Sequence, residues 1–158
     1  MNYMLDRLKA FENKMSDLIT VAHHGQKYGD KSYTYHLRMV ADNTIELFPS
    51  TCKKFKAKLY TTALGHDLIE DTHVTKDVLI ASGYDDEVVE AIDLVTKKEG
   101  LSYKDYLKKL SDNELAWKVK VADTYSNMTQ SIVDGDTKRV RKYSSQLELL
   151  YKYKSWEE

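Results

Sequence analysis

The sequence predicts an all-α protein, a single bundle of about seven or eight helices over residues 1–158. Apolar residues recur every three or four positions along most of the chain, which is the spacing of an amphipathic helix. One proline and six glycines leave few points at which helices would break. No internal repeat, low-complexity tract or linker divides the chain, so we expect one domain.

In the first half of the chain, apolar spacing and helix-stopping residues predict three main helices. The segments are a helix over 11–28 preceded by a short helical turn from Asn2, a turn over 29–32, a helix from Thr34 that stops at Pro49, and a helix from Cys52 to Glu70. Proline ends the second of these because it cannot donate a backbone hydrogen bond. The third predicted helix ends within the acidic segment that contains Asp67 and Glu70.

In the second half, capping residues mark most helix boundaries. The segments are a short helix over 75–81, a helix from Asp85 or Asp86 that ends around residues 96–100, helices over 102–110 and 114–133, and a last helix over 136–156. Thr75 and Ser102 are predicted N-caps, while Gly83 and Gly135 end helices. Residues 117–122 alternate as a strand would, but the length of the segment favours a helix.

Charge and composition exclude several classes of partner. The 24 basic and 25 acidic residues leave a net charge of -1, which gives no electrostatic case for nucleic acid. No apolar run is long enough for a membrane span, and the N-terminus does not resemble a signal peptide. With Cys52 as the single cysteine, we expect a cytoplasmic protein and leave self-association open. The 12 tyrosines are interpreted mainly as residues at the edge of the core.

Segment 66–72, His-Asp-Leu-Ile-Glu-Asp-Thr, is the strongest candidate for chemistry. On one continuous helix, His66, Asp67, Glu70 and Asp71 would fall within an arc of about 140°. Three carboxylates this close repel one another, and the dipole at a helix C-terminus disfavours them further. Because a bound divalent cation relieves both effects, the segment predicts a metal site.

Other residues can complete this site. His36 lies near the start of the second helix, and Asp123 and Asn127 share one face of the long helix over 114–133. With His66 and Asp67, His36 and Asp123 form a mixed nitrogen and oxygen ligand set suited to Mn²⁺, Fe²⁺ or Zn²⁺. Taken singly, such a histidine or Asp/Asn pair is more often a surface feature. We leave the adjacent pair at 23–24 out of the ligand set, because neighbouring helical side chains point about 100° apart.

The same residues carry a resemblance to a known family. The order His36, His66-Asp67 and Asp123 is similar to the H…HD…D pattern of HD-domain metal-dependent phosphohydrolases. More closely, the chain resembles the hydrolase domain of RelA/SpoT alarmone enzymes and its small stand-alone relatives, including the metazoan SpoT homologues. The segments that carry this resemblance are 22–26, 33–36, 63–72, 94–97 and 119–128.

The resemblance implies an all-helical HD fold and an enzyme of the stringent response. The reaction would be Mn²⁺-dependent removal of pyrophosphate from the 3′ position of guanosine tetra- or pentaphosphate, with another divalent first-row ion as an alternative. By position, the resemblance assigns the metal to His36, His66, Asp67 and Asp123. It assigns the attacking water to Glu70 and Asp71 and a nucleotide contact to Asn127. The metal would lower the pKa of water, and a carboxylate would accept its proton.

The sequence constrains two further features less: which basic side chains would bind the substrate phosphates, and which nucleotide base the site would accept. Candidate cations are Lys27, Lys31, Arg38, Lys97 and Lys120. The family places a base-contacting arginine where this chain has Lys27-Tyr28, and lysine cannot copy the planar stacking of arginine. One alternative is therefore a phosphatase for another nucleotide, such as a nucleoside monophosphate or a 2′-phosphorylated dinucleotide. A second is a non-catalytic module that binds a nucleotide or a protein partner.

Overall fold

A computed structural model describes residues 3–157, with side chains from residue 6 onward. The described residues form eight α-helices of six residues or more, one four-residue helix and one two-stranded hairpin, so the predicted all-α class is confirmed. In chain order the elements are α1 (Tyr3–Ala22), β1 (Lys27–Tyr28), β2 (Lys31–Ser32), α2 (Tyr33–Leu47), α3 (Lys53–Gly65), α4 (Leu68–Asp71), α5 (Lys76–Ala81), α6 (Asp86–Val95), α7 (Tyr103–Leu110), α8 (Glu114–Val133) and α9 (Thr137–Tyr153).

The first helix ends earlier than predicted, and a hairpin follows it. Helix α1 stops at Ala22, and Gly25 adopts φ +81°, a backbone conformation that does not continue a right-handed helix. Strands β1 and β2 pair antiparallel through a two-residue turn at Gly29 and Asp30, with Gly29 at φ +60°. The predicted helix over 11–28 is therefore wrong at its C-terminal end, and Asn2 lies outside the described residues.

The third predicted helix is interrupted within the acidic segment. Helix α3 ends at Gly65, the helical hydrogen bonding breaks at His66 and Asp67, and the one-turn helix α4 follows. A continuous helix to Glu70 is therefore wrong, and so is the argument that Glu70 and Asp71 oppose the dipole at its C-terminus. Gly65, the last residue of α3, is closely packed, because a Cβ there would lie 2.9 Å from the Ile92 Cδ1 atom.

The predicted boundaries in the second half agree closely with the structure. Thr75 and Ser102 cap α5 and α7, each accepting a hydrogen bond from a backbone N–H three residues later. Gly83 and Gly135 adopt positive φ after α5 and α8. Helix α9 ends at Tyr153, three residues before the predicted end.

Helix α8 is the central helix of the bundle. It packs against α2, α3, α6 and α9, while α3 also contacts α1 and α2. Residues 115–119 and 121–124 are all buried, which explains why the sequence there lacks a single apolar stripe and imitates a strand. This packing brings the N-terminus of α2, the α3–α4 junction and the middle of α8 together on one side of the bundle. Among the described helices, none is long and apolar enough to cross a membrane.

Leu59 on α3 offers a test of this core. Its side chain is fully buried, whereas that of Leu47 at the end of α2 is 39% exposed. We expect Leu59→Ala to lower the free energy of unfolding by about 2–5 kcal/mol, through lost burial and the cavity left behind. The matched variant Leu47→Ala should cost less than about 1 kcal/mol. Urea unfolding followed by circular dichroism measures both, and equal losses would contradict the assigned core.

Candidate metal centre

Four side chains from three elements converge at the candidate centre. His36 lies in the first turn of α2, His66 and Asp67 occupy the α3–α4 junction, and Asp123 lies in the middle of α8. His36 Nε2 lies 3.1 Å from Asp123 Oδ1, and His66 Nε2 lies 3.6 Å from the same oxygen. His66 Nε2 also lies 3.1 Å from Asp67 Oδ2. The structure thus brings together all four residues that the sequence proposed as ligands.

The break after α3 determines the orientation of His66. Carbonyl groups in the last turn of a helix lack intrahelical partners, and the Ala63 carbonyl accepts a hydrogen bond from His66 Nδ1 at 2.7 Å. This bond keeps a proton on Nδ1, so Nε2 is the ring nitrogen that faces the cluster. Nε2 is buried and has no hydrogen-bond partner among the described residues. A buried nitrogen in this state is suited to a metal ion.

The neighbouring carboxylates create a strong field at His66. Burial alone would lower the pKa of His66, but the negative charges of Asp67 and Asp123 raise it well above its ordinary value. The field that favours a proton on this imidazole also favours any other cation at the same position. The electrostatics of the cluster therefore select for positive charge.

Asp123 is held ionised by its neighbours on α8. Lys120, one turn earlier, donates to Asp123 Oδ2 at 2.9 Å, and Asn127, one turn later, donates to Oδ1 at 2.8 Å. Burial opposes ionisation, but the Lys120 charge, the His36 hydrogen bond and the nearby His66 imidazole lower the pKa of Asp123 well below its usual value. Asp123 is therefore a fixed carboxylate with Oδ1 directed toward both imidazoles.

The donor set fits a divalent first-row ion. Adjacent ligands around a six-coordinate ion with bonds of about 2.1 Å lie about 3.0 Å apart. The two 3.1 Å separations in the cluster are close to this value. One donor atom from each of His36, His66 and Asp67 also lies within 4.8 Å of the others. Two neutral imidazoles and two carboxylates would neutralise the ion and leave positions for water and substrate.

Glu70 and Asp71 lie one turn beyond the ligands, on α4. Each offers a carboxylate oxygen within 4.8 Å of the other and of an Asp67 oxygen. The backbone N–H of Lys97 donates to Glu70 Oε1 at 2.8 Å, and Gln26 Nε2 donates to the Asp71 carbonyl oxygen at 2.9 Å. Partial burial, followed by the Asp67 charge, raises the pKa of Asp71. Burial likewise raises the pKa of Glu70, although the Lys97 N–H opposes that shift. Both groups are thereby stronger bases than ordinary carboxylates.

A cavity of ≈ 470 Å³ opens over the cluster. Its lining includes three of the candidate ligands, His36, Asp67 and Asp123, together with Glu70 and Asp71. The other lining residues are Tyr28, Tyr33, Tyr103, Lys120, Thr124, Asn127, Lys142, Tyr143 and Gln146. Four tyrosines and four carboxylates thus line the cavity. It is suited to a small molecule that carries a ring and, in addition, a cationic group or a polar group bound to a metal.

The predicted substrate contacts are only partly grouped at this cavity. Lys120 and Asn127 line it, but both hydrogen bond to Asp123, and Asn127 Oδ1 also accepts from Tyr28 at 3.0 Å. Lys27 and Lys31 line a second cavity that shares Tyr28 with the first. Lys97 is exposed and contacts the site through its backbone N–H.

The sequence did not identify the aromatic and α9 residues of the cavity. Twelve tyrosines are a compositional signal, but nothing in their spacing separates Tyr103 or Tyr143 from residues at the edge of the core. Tyr33 had a usable signal, because it lies three residues before His36 and so on the same helix face. The contribution of α9 depends on how the last helix folds back onto α8, which local sequence does not encode.

Comparison with known proteins does not assign the chain to a family. No protein-family model matches the chain, and no curated protein matches it significantly.

Proposed function

We propose that this protein is a metal-dependent phosphohydrolase acting on a nucleotide, with Mn²⁺ or another first-row divalent ion as its cofactor. The observation that carries the proposal is the convergence of two imidazoles and two carboxylates beneath a cavity with two further carboxylates beside them. A site for binding alone has little use for Glu70 and Asp71, whereas hydrolysis needs a group to accept a proton from water.

Each part of the site has a role in this mechanism. His36, His66, Asp67 and Asp123 would hold the ion, which when bound supplies charge neutralisation and a lower pKa for water. Glu70 and Asp71 orient the attacking water and accept its proton. The Lys120 ammonium and the Asn127 amide keep Asp123 ionised and aligned. The cavity walls position the phosphate ester for attack.

The specific reaction that we propose is hydrolysis of guanosine 3′,5′-bis(diphosphate) to GDP and pyrophosphate. Its support is the resemblance of segments 33–36, 63–72 and 119–128 to the alarmone hydrolases, together with the cavity that contains residues of all three segments. The aromatic walls formed by Tyr28, Tyr103 and Tyr143 are suited to stacking on a base.

A second substrate is favoured by one observation. Lys27 replaces the arginine that would contact guanine, and it lies in the neighbouring cavity instead of the one above the cluster. The guanine-specific contact is therefore missing from the lining residues. A different nucleotide, such as a nucleoside monophosphate or a 2′-phosphorylated dinucleotide, would use the same metal and water chemistry.

An assay of the purified Mn²⁺-loaded protein against a nucleotide panel tests both substrates. We expect guanosine tetraphosphate to yield one pyrophosphate for each GDP, as measured by chromatography and a coupled pyrophosphate assay. Protein stripped of metal by a chelator is the control and should be inactive until Mn²⁺ is restored. Inertness toward guanosine tetraphosphate with turnover of another nucleotide would reject the specific substrate. Inertness toward every nucleotide in the panel would reject the hydrolase.

A further inference from the structure

Tyr33, the first residue of α2, contacts both groups of carboxylates in the site. Its hydroxyl donates to Asp67 Oδ2 at 2.7 Å and lies 3.4 Å from Asp71 Oδ2. A phenol has one proton to donate, so the two carboxylates share one donor and the shorter bond belongs to Asp67. Asp67 is a candidate metal ligand, and Asp71 is a candidate partner of the attacking water.

The surroundings of Tyr33 restrict its ring. The His23 ring stacks on it with centroids 5.0 Å apart, and the His36 ring is tilted against it with centroids 5.6 Å apart. Its backbone N–H donates to the Gln26 carbonyl at 3.1 Å. The Gln26 side-chain oxygen in turn accepts from His23 Nδ1 at 2.8 Å, and its side-chain nitrogen donates to the Asp71 carbonyl. Asp71 is therefore contacted from both sides of the hairpin, by Gln26 at its backbone carbonyl and by Tyr33 at its carboxylate.

The hydrogen bond to Asp67 is compatible with metal binding. Asp67 Oδ2 is the oxygen that lies 3.1 Å from His66 Nε2, and a carboxylate oxygen has two lone pairs. One can bind an ion while the other accepts the Tyr33 proton. A tyrosine hydroxyl has an ordinary pKa of about 10, so it carries its proton at neutral pH and is available as the donor.

We propose that Tyr33 is a positioning residue that sets the orientation of Asp67 toward the metal and links it to Asp71. This inference rests on the proposed function of the site. Donors to metal-binding carboxylates typically contribute about 10–100-fold to metal affinity or activity. Tyr33 differs from an ordinary donor of this kind because its second contact couples the metal ligand to the carboxylate that serves the water.

The variant Tyr33→Phe tests the proposal, because it keeps the ring and its contacts with His23 and His36 and removes only the hydroxyl. We expect the Kd for Mn²⁺, measured by isothermal titration calorimetry, to rise by about tenfold or more, and kcat to fall by about 10–100-fold. The electron paramagnetic resonance spectrum of bound Mn²⁺ should also change, which a purely structural role for the ring would not produce. Tyr60→Phe is the matched control, since Tyr60 also contacts an aspartate, Asp42 at 3.4 Å, but away from the site.

The link to Asp71 is tested by a double-mutant cycle. If Tyr33 couples Asp67 to Asp71, Asp71→Asn should reduce kcat by a smaller factor in the Tyr33→Phe background than in the wild type. Unchanged Mn²⁺ affinity and kcat in Tyr33→Phe would overturn the proposal while leaving the hydrolase intact. Wild-type protein that neither binds Mn²⁺ nor turns over any nucleotide would instead reject the function on which it rests.

Discussion

His66→Ala should abolish metal binding and, with it, hydrolysis. His66 Nε2 lies at the centre of the cluster, within 3.1 Å of Asp67 and 3.6 Å of Asp123. Removing it leaves Asp67 and Asp123 without the ring nitrogen that lies close to both of them. Because His66 would contact the ion itself, its loss should cost more than the roughly 10–100-fold expected for a residue that only supports a ligand. Dialysis followed by elemental analysis should find no bound Mn²⁺.

Thermal unfolding gives a readout of the same prediction that does not depend on the substrate. Free Mn²⁺ at about 100 times its Kd should stabilise the wild-type native state by about 2.7 kcal/mol and raise its Tm. The Tm of His66→Ala should not respond. Asp67→Asn, which nearly preserves side-chain shape, covers the case in which the alanine variant does not fold. His73→Ala is the control, because His73 is exposed. Stoichiometric Mn²⁺ in either folded ligand variant would contradict the assignment.

Local sequence was sufficient to predict most of the helices. Helices α5 to α8 begin at side chains that accept backbone hydrogen bonds, such as Thr75 and Ser102, and capping is determined within a few residues. Helix α8 was correctly preferred to a strand because of its length. The break at His66 was not predicted, because apolar residues continue at helical spacing through it as far as Ile69.

The residues of the candidate site were likewise predicted only in part from the sequence. Histidine and carboxylate residues are few enough, and their order specific enough, that the sequence alone could group His36 and Asp123 with the acidic segment. The lysines could not be grouped in this manner, because 24 basic residues are spread over the chain and most are solvent exposed. Long-range packing places Lys142 of α9 in the cavity and Lys31 of the hairpin outside it.

Glu70→Gln and Asp71→Asn should each reduce kcat strongly while the metal remains bound. In the proposed mechanism neither residue holds the ion, and a group that accepts a proton in the transition state typically contributes about 10²–10⁴-fold. The amide variants keep the shape of the side chain and remove its basicity. Steady-state kinetics with saturating Mn²⁺, together with elemental analysis of the same samples, measures both quantities. Glu90→Gln on α6 is the control, because Glu90 pairs with Lys76 on the surface.

The double variant distinguishes one shared task from two separate ones. Glu70 is held by the Lys97 N–H, and Asp71 by Gln26 and Tyr33, so the two carboxylates are positioned by different parts of the fold. If one orients the water and the other takes its proton, they serve a single step, and the double variant should be only slightly less active than the weaker single variant. Multiplicative losses would mean that the two carboxylates contribute independently of each other. Full activity in both single variants would remove Glu70 and Asp71 from the water chemistry.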